Sequence, residues 1–181
     1  MPYFYPTYWE SQTSCGRYFI SMGAIPNQQL DFFIPFLIEK FGPKIYCVGQ
    51  DYNWPRVSIA YIEQLLPKHG GELVGRCNVP FDQSDWSSII QRVKSAQPDV
   101  FFPFIGGNGL VACLKQFYDF GFDGISVAAT LMDEMYLPQL RARVTARHVL
   151  FGILPDGTRQ PRQQGFCEQF QSEIRRRRDS Q

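Results

Sequence analysis

Two aromatic rings and a carboxylate crowd into one short segment, Asp51, Tyr52 and Trp54, directly after an apolar run at residues 45–48 that stops at Gly49. A carboxylate accepts hydrogen bonds, a phenol donates and accepts, and ring faces take flat groups, so the trio suits a small, flat, polar ligand. The other carboxylates at predicted loop tips are Glu10, Asp82, Asp133 and Glu134. Asp133 follows the apolar run 125–129 much as Asp51 follows 45–48. In a parallel sheet both would lie at the carboxyl edge, where open α/β sheets keep their ligands. Asp51, Tyr52, Trp54, the turn at residues 106–108 and the Met132-Asp133 pair are therefore predicted to line one rim. Such a rim offers donors, acceptors and ring faces, but no nucleophile with a base beside it. The plainer alternative has Tyr52 and Trp54 covering the sheet end while Asp51 caps the helix that follows.

Other chemistries find little support in the residues. The two histidines, His69 and His148, precede a Gly-Gly stop and open a strand pattern, and both read as structural. Hydrolase-elbow, zincin and P-loop motifs lack their minimal residues. Gly107, Gly109 and Ala112 form a G-x-G-x-x-A, the one pattern that favours a nucleotide-dependent enzyme of Rossmann-like fold. It follows a late strand and no acidic residue ends the next one, so a glycine turn that lets backbone approach closely is the simpler reading, and no cofactor is expected. The five cysteines are scattered without a C-x-x-C pair, which argues against a metal knuckle.

Charge and hydropathy narrow the partners. Eighteen basic and 17 acidic side chains leave a net charge of +1, too little to draw nucleic acid or an anionic membrane. The arginine run at 175–178 reads as a solvated helix end or tail. No apolar run is long enough to span a membrane, and the opening segment MPYFYPTYWESQTS does not have the regions of a secretory signal. The expected partner is a small molecule.

The elements that must position the rim alternate in a regular rhythm. Apolar runs at 18–22, 45–48, 72–79, 99–105, 125–129 and 148–154 predict strands. Helical spacing predicts helices starting at Asn27, at Trp54 and running to His69, at Ser84, after Gly109, near residues 133–140 and at 163–175. Pro103 within 99–105 argues for an edge strand, a bulge or an early end. Strands alternating with helices of this length imply βαβ units and a parallel sheet. The strand-like residues 2–7 need neighbours on both sides, so the chain is expected to begin within a fold.

These segments, taken together, resemble a known family. YPT, GAIPNQQL, VGQDYNWPR, HGG, VP ahead of D-x-S-x-I-I, QPDVFF and AATLMDEMY are similar, in order and over residues 2–151, to the amide- and urea-binding branch of the type I periplasmic binding proteins. That branch holds receptors of ABC transporters and cytoplasmic amide sensors of amidase or nitrile hydratase operons. The resemblance implies an α/β fold, a three-layer parallel sheet forming one flavodoxin-like lobe, with a remnant of the second lobe. Residues 1–23 would be the end of lobe one and a hinge crossing, 24–155 lobe two, and 156–181 a C-terminal helix and basic tail, a fragment of the whole. It implies a binding protein, not an enzyme, for an amide, urea or branched-chain amino acid, with an ABC permease or a regulatory partner, periplasmic in transport and cytoplasmic in sensing. The implied ligand contacts are Tyr5, Thr7 and Tyr8 from lobe one, and Tyr52, Trp54, Ile105, Gly106, Met132 and Asp133 from lobe two, with Asp51 beside them. Glu10-Ser11 and Pro103-Phe104 depart from the family pattern.

Overall fold

The computed structural model describes residues 1–10, 16–121, 124–132, 136, 139–140 and 149–151. Two short strands, β1 (Tyr3–Tyr5) and β2 (Phe19–Ser21), pair in parallel as a separate ribbon. The chain then enters α1 (Pro26–Phe41), β3 (Lys44–Gln50), α2 (Asn53–Leu65) and β4 (Glu72–Val79). It continues through α3 (Ser87–Ala96), β5 (Val100–Phe104), α4 (Gly107–Asp119), β6 (Ser126–Ala129) and β7 (Val149–Phe151). The five later strands form one parallel sheet in the order β4-β3-β5-β6-β7.

Alternation along each strand explains the three layers. Ile45 and Cys47 of β3, Val100, Phe102 and Phe104 of β5 and Ala128 of β6 pack on one side with Leu30, Ile34 and Leu37 of α1 and Ile59 and Ile62 of α2. Tyr46, Val48, Phe101, Val127 and Ala129 pack on the other with Ile89, Ile90 and Val93 of α3 and Leu110, Leu114 and Phe117 of α4. A period of two with both faces covered is what a parallel sheet between helix layers requires. The expected three-layer α/β architecture is the observed one.

Several boundaries differ from the sequence reading, each for a local reason. Asn27 does not cap α1. Pro26 holds the first helical position, and the Gln28 side chain reaches back to accept the Ile25 N–H at 3.1 Å. The helix expected from Ser84 begins three residues later, because Asp85 accepts from both the N–H and the hydroxyl of Ser87, and Trp86 gives its N–H to Gln116 of α4 at 2.8 Å. The segment read as one helix to His69 tightens into a 3-10 turn at Leu66–His69. Pro103 does not mark an edge strand, since β5 is central. Its pairing with β6 is confined to Val100 and Phe101, so at Pro103 the missing N–H falls where only β3 is alongside. The helices expected near residues 133–140 and at 163–175 fall largely or wholly outside the described residues.

The order of strands sets the place for a ligand. β3 leads to β4 on one side and β5 lies on the other, so connections leave the β3/β5 boundary in opposite directions. In doubly wound sheets that reversal opens a crevice beyond the carboxyl ends of the two strands. Gly49 lets α2 close over the end of β3, because a Cβ there would lie 2.7 Å from the Cβ of Pro55.

Candidate functional site

Past the last residue of β3, the Asp51 N–H still donates to Val79 O at 2.8 Å, and the Tyr52 N–H turns back to Gln50 O at 2.9 Å. α2 starts at once, with Tyr52 as its extended N-cap and Pro55 within the first turn, where a missing N–H costs nothing. Asp51 neither caps the helix nor faces the crevice. Its carboxylate takes the Arg56 Nε at 2.9 Å on the solvent side.

The rings behind it form a continuous wall. Trp54 is only 3% exposed. It stacks on Tyr8 at 5.9 Å and 15°, and on Tyr52 at 6.5 Å and 28°, while meeting Phe104 edge-on at 5.3 Å. Phe81 extends the wall on the other side of Tyr52, with centroids 5.1 Å apart. At 5.9 Å, Tyr8 and Trp54 leave no room for a third ring between them. Trp54 Nε1 is buried and finds no acceptor among the described residues, as is also true of Trp86 Nε1 in the core, and the Thr130 hydroxyl at the end of β6 has no partner either. A buried indole N–H normally has a partner, and what sets Trp54 apart from Trp86 is its place at the end of β3 and in the ring wall.

The other rings of the N-terminal segment pack among themselves. Tyr5 packs on Trp9 at 5.3 Å, and Trp9 on Phe19 at 4.8 Å. The segment after β1 and the segment after β2 touch at Gly23, where a Cβ would sit 1.7 Å from Thr7 O, so only glycine admits the contact. Beside it a cleft of about 410 Å³ runs between Pro6, Thr7 and Tyr8 and residues 22–24. Glu10 joins the segment to the α2 start, accepting from Asn53 Nδ2 at 3.3 Å. Burial first, then the Glu10 carboxylate and the Tyr5 phenol, push the Tyr52 phenol above its ordinary pKa and keep it a hydrogen-bond donor.

The remaining predicted residues divide. Gly106, half-buried at the start of α4, gives its N–H to the Gln50 side chain at 3.0 Å and lies near Leu131. Ile105 and Met132 are buried in the α3–α4 core below the rim. Asp133 lies outside the described residues. The structure thus brings Tyr8, Tyr52 and Trp54 into one wall with Tyr5 at its edge, places Gly106 across the crevice, leaves Thr7 at the crossing, and turns Asp51 away. Gln50 and Phe81 went unnoticed in the sequence, and Phe104 was noted only as a departure from the family pattern. Only Gln50 carried a signal, as an amide ending an otherwise apolar strand.

The arrangement can bind. The glycine turn spends its first N–H on Gln50, and Gly109 approaches Ile105 and Gln50 as a close-packed helix start does. Cys47 and Cys113 are buried, and burial raises both thiols far from reactivity. Among the described residues no group of His, Cys, Asp or Glu side chains could hold a metal ion, and no helix is long and apolar enough to cross a membrane.

A sequence profile of the family described as periplasmic binding protein matches residues 1–181. Solved structures agree in fold. The leucine-, isoleucine-, valine-, threonine- and alanine-binding protein of Brucella ovis, in its closed conformation, superposes with a TM-score of 0.69 at 15% identity over 86% of this chain and 40% of its own. An amino acid ABC transporter substrate-binding protein of Pseudomonas fluorescens Pf-5 gives 0.68 at 15% identity, over 87% and 43%. A solute-binding protein of an ABC transporter from Rhodopseudomonas palustris BisB5, in complex with 3,4-dihydroxy benzoic acid, gives 0.62 at 22%, over 86% and 44%. The chain spans less than half the length of each.

Proposed function

The chain belongs to the periplasmic binding protein family, and on that premise we propose that it is the solute-binding part of an ABC transporter. It holds a small, flat, neutral amide or urea-like compound, or a branched-chain amino acid, without transforming it. The observation that carries this reading is the Tyr8–Trp54–Tyr52 wall at the strand-order reversal, with one ring from the N-terminal segment, two from the β3–α2 tip, and a buried indole N–H without an acceptor among the described residues. A ligand carbonyl supplies that acceptor, and the protonated Tyr52 phenol is a second donor. Ring faces complete the fit for a planar group.

Local charge favours a neutral ligand. Glu10 and Asp51 are both at the tip, and Arg56 is already paired with Asp51. An anionic ring such as the benzoic acid bound by the R. palustris protein would meet a carboxylate and, among the described residues, no spare cation there. Residues 1–23 act as the crossing and 24–155 as the lobe. Contacts made to both sides shift the population toward a closed form, which an ABC permease in the membrane then reads from the periplasm.

Calorimetric titration of the purified chain with acetamide, urea, leucine and 4-hydroxybenzoate tests the reading. Heat is expected with an uncharged amide or with leucine, and less with 4-hydroxybenzoate. No heat from any of them, alongside a folded circular dichroism spectrum, contradicts it.

A further inference from the structure

We propose that Gln50 is the positioning residue of this site: its buried amide clamps the turn after β5 to the aromatic tip after β3, so that the two present one surface. The inference rests on the reading of the site as a ligand crevice. Gln50 ends β3 and is 6% exposed. Burying an amide is costly unless it is bonded, and Gly106 N–H donates to its Oε1 at 3.0 Å. A backbone N–H can only donate, so the atom facing Gly106 is the carbonyl oxygen, and Nε2 turns toward Gly109, where a Cβ would stand 3.7 Å away.

The bond falls where backbone pairing runs out. The β3/β5 ladder ends at Gly49 opposite Phe104, β6 has left β5 after Phe101, and Pro103 has no N–H to give. The side chain adds one further rung across the strand-order reversal. A second link runs in parallel, from Trp54 on one tip to Phe104 on the other at 5.3 Å. Ligand contacts lose strength with misplacement of about 0.5 Å, so a rung that fixes two loops together acts through them on affinity.

Gln50→Leu keeps the volume and removes the acceptor, whereas Gln50→Glu keeps an acceptor for Gly106. The protein labelled with 5-fluorotryptophan carries three fluorine resonances, and that of Trp54 is identified by its loss in Trp54→Phe. In Gln50→Leu the Trp54 resonance moves by more than its linewidth while that of Trp86, in the α3 core, stays. Binding of whichever solute gives heat with the wild type weakens about tenfold. Gln50→Glu brings both back toward the wild type. A Trp54 resonance unmoved in Gln50→Leu overturns the proposal, as does equal loss in both variants with the fold intact. Should Gln50→Leu not fold, hydrogen exchange in the wild type decides, since an unprotected Gly106 amide also overturns it. If the wild type binds none of the solutes, the reading of the crevice fails while the fluorine shift still decides the role of Gln50.

Discussion

This molecule has two groups of packed aromatic rings, and they differ in what lies beneath them. Tyr3, Tyr5, Trp9 and Phe19 pack together on the β1–β2 ribbon, where no strand residue is fully buried. Tyr8, Tyr52, Trp54 and Phe104 stand over the ends of β3 and β5, where every residue of β5 and all but the first of β3 is buried. An isolated two-stranded ribbon is marginal by itself, and parallel pairing does not strengthen it. Ring pairs add about 0.5–1.5 kcal/mol each beyond their buried area, too little to fix a position without support. The same residue types therefore stand on a marginal support at the ribbon and on a buried core at the sheet.

The strongest way to break that contrast is to empty the core under each group. Phe102→Ala, at a fully buried position, is expected to cost about 3–5 kcal/mol in urea unfolding. Tyr3→Ala, 60% exposed and stacked on Phe19, should cost only about 0.5–1.5 kcal/mol. Equal costs would erase the distinction. Next in size is the crossing. Gly23→Ala drives a Cβ into Thr7 O and should strain the ribbon by about 1–3 kcal/mol. Altered Trp9 fluorescence with an unchanged urea midpoint for the main sheet would show the two regions to be separable.

Smaller effects sharpen the picture on the sheet side. Trp54→Phe keeps a ring and removes the orphan N–H, so stability should change by under about 1 kcal/mol while affinity falls about tenfold, measured by urea titration and calorimetry. Tyr61 ties α2 to α1 by donating to Asp31, and burial together with that bond pushes its phenol up to about 12. A raised tyrosine favours the protonated fold, so its contribution is complete below the ordinary value of about 10 and is lost as pH climbs toward about 12. Thermal melts across that window should show the loss, and Tyr61→Phe should flatten it. The least effect belongs to Arg56→Ala, whose exposed ion pair with Asp51 is worth under about 1 kcal/mol and vanishes in high salt.

The fold was legible because its signals are local and repeated: apolar runs of two-sided strands, helical spacing between them, and glycines at the stops. What escaped depended on partners distant in sequence. The start of α3 is fixed by Gln116 of α4, thirty residues on, and Pro103 is tolerated because of where β6 ends, which no pattern around it discloses. At the site, Tyr52 and Trp54 announced themselves as rings after a strand, yet their stacking on Tyr8 and Phe104 came only with the topology. Asp51 shared their segment but answers to Arg56 instead. Gln50 needed the β3/β5 adjacency to acquire a meaning.

The central claim, that ligand is held at the wall over β3 and β5, is tested most directly by titrating the 5-fluorotryptophan protein with acetamide, urea and leucine while watching all three tryptophans. The account predicts that the Trp54 resonance shifts in a saturable way with at least one of them and that Trp86 stays still. A saturable shift at Trp86 with Trp54 unmoved, or no movement at any tryptophan, would contradict it.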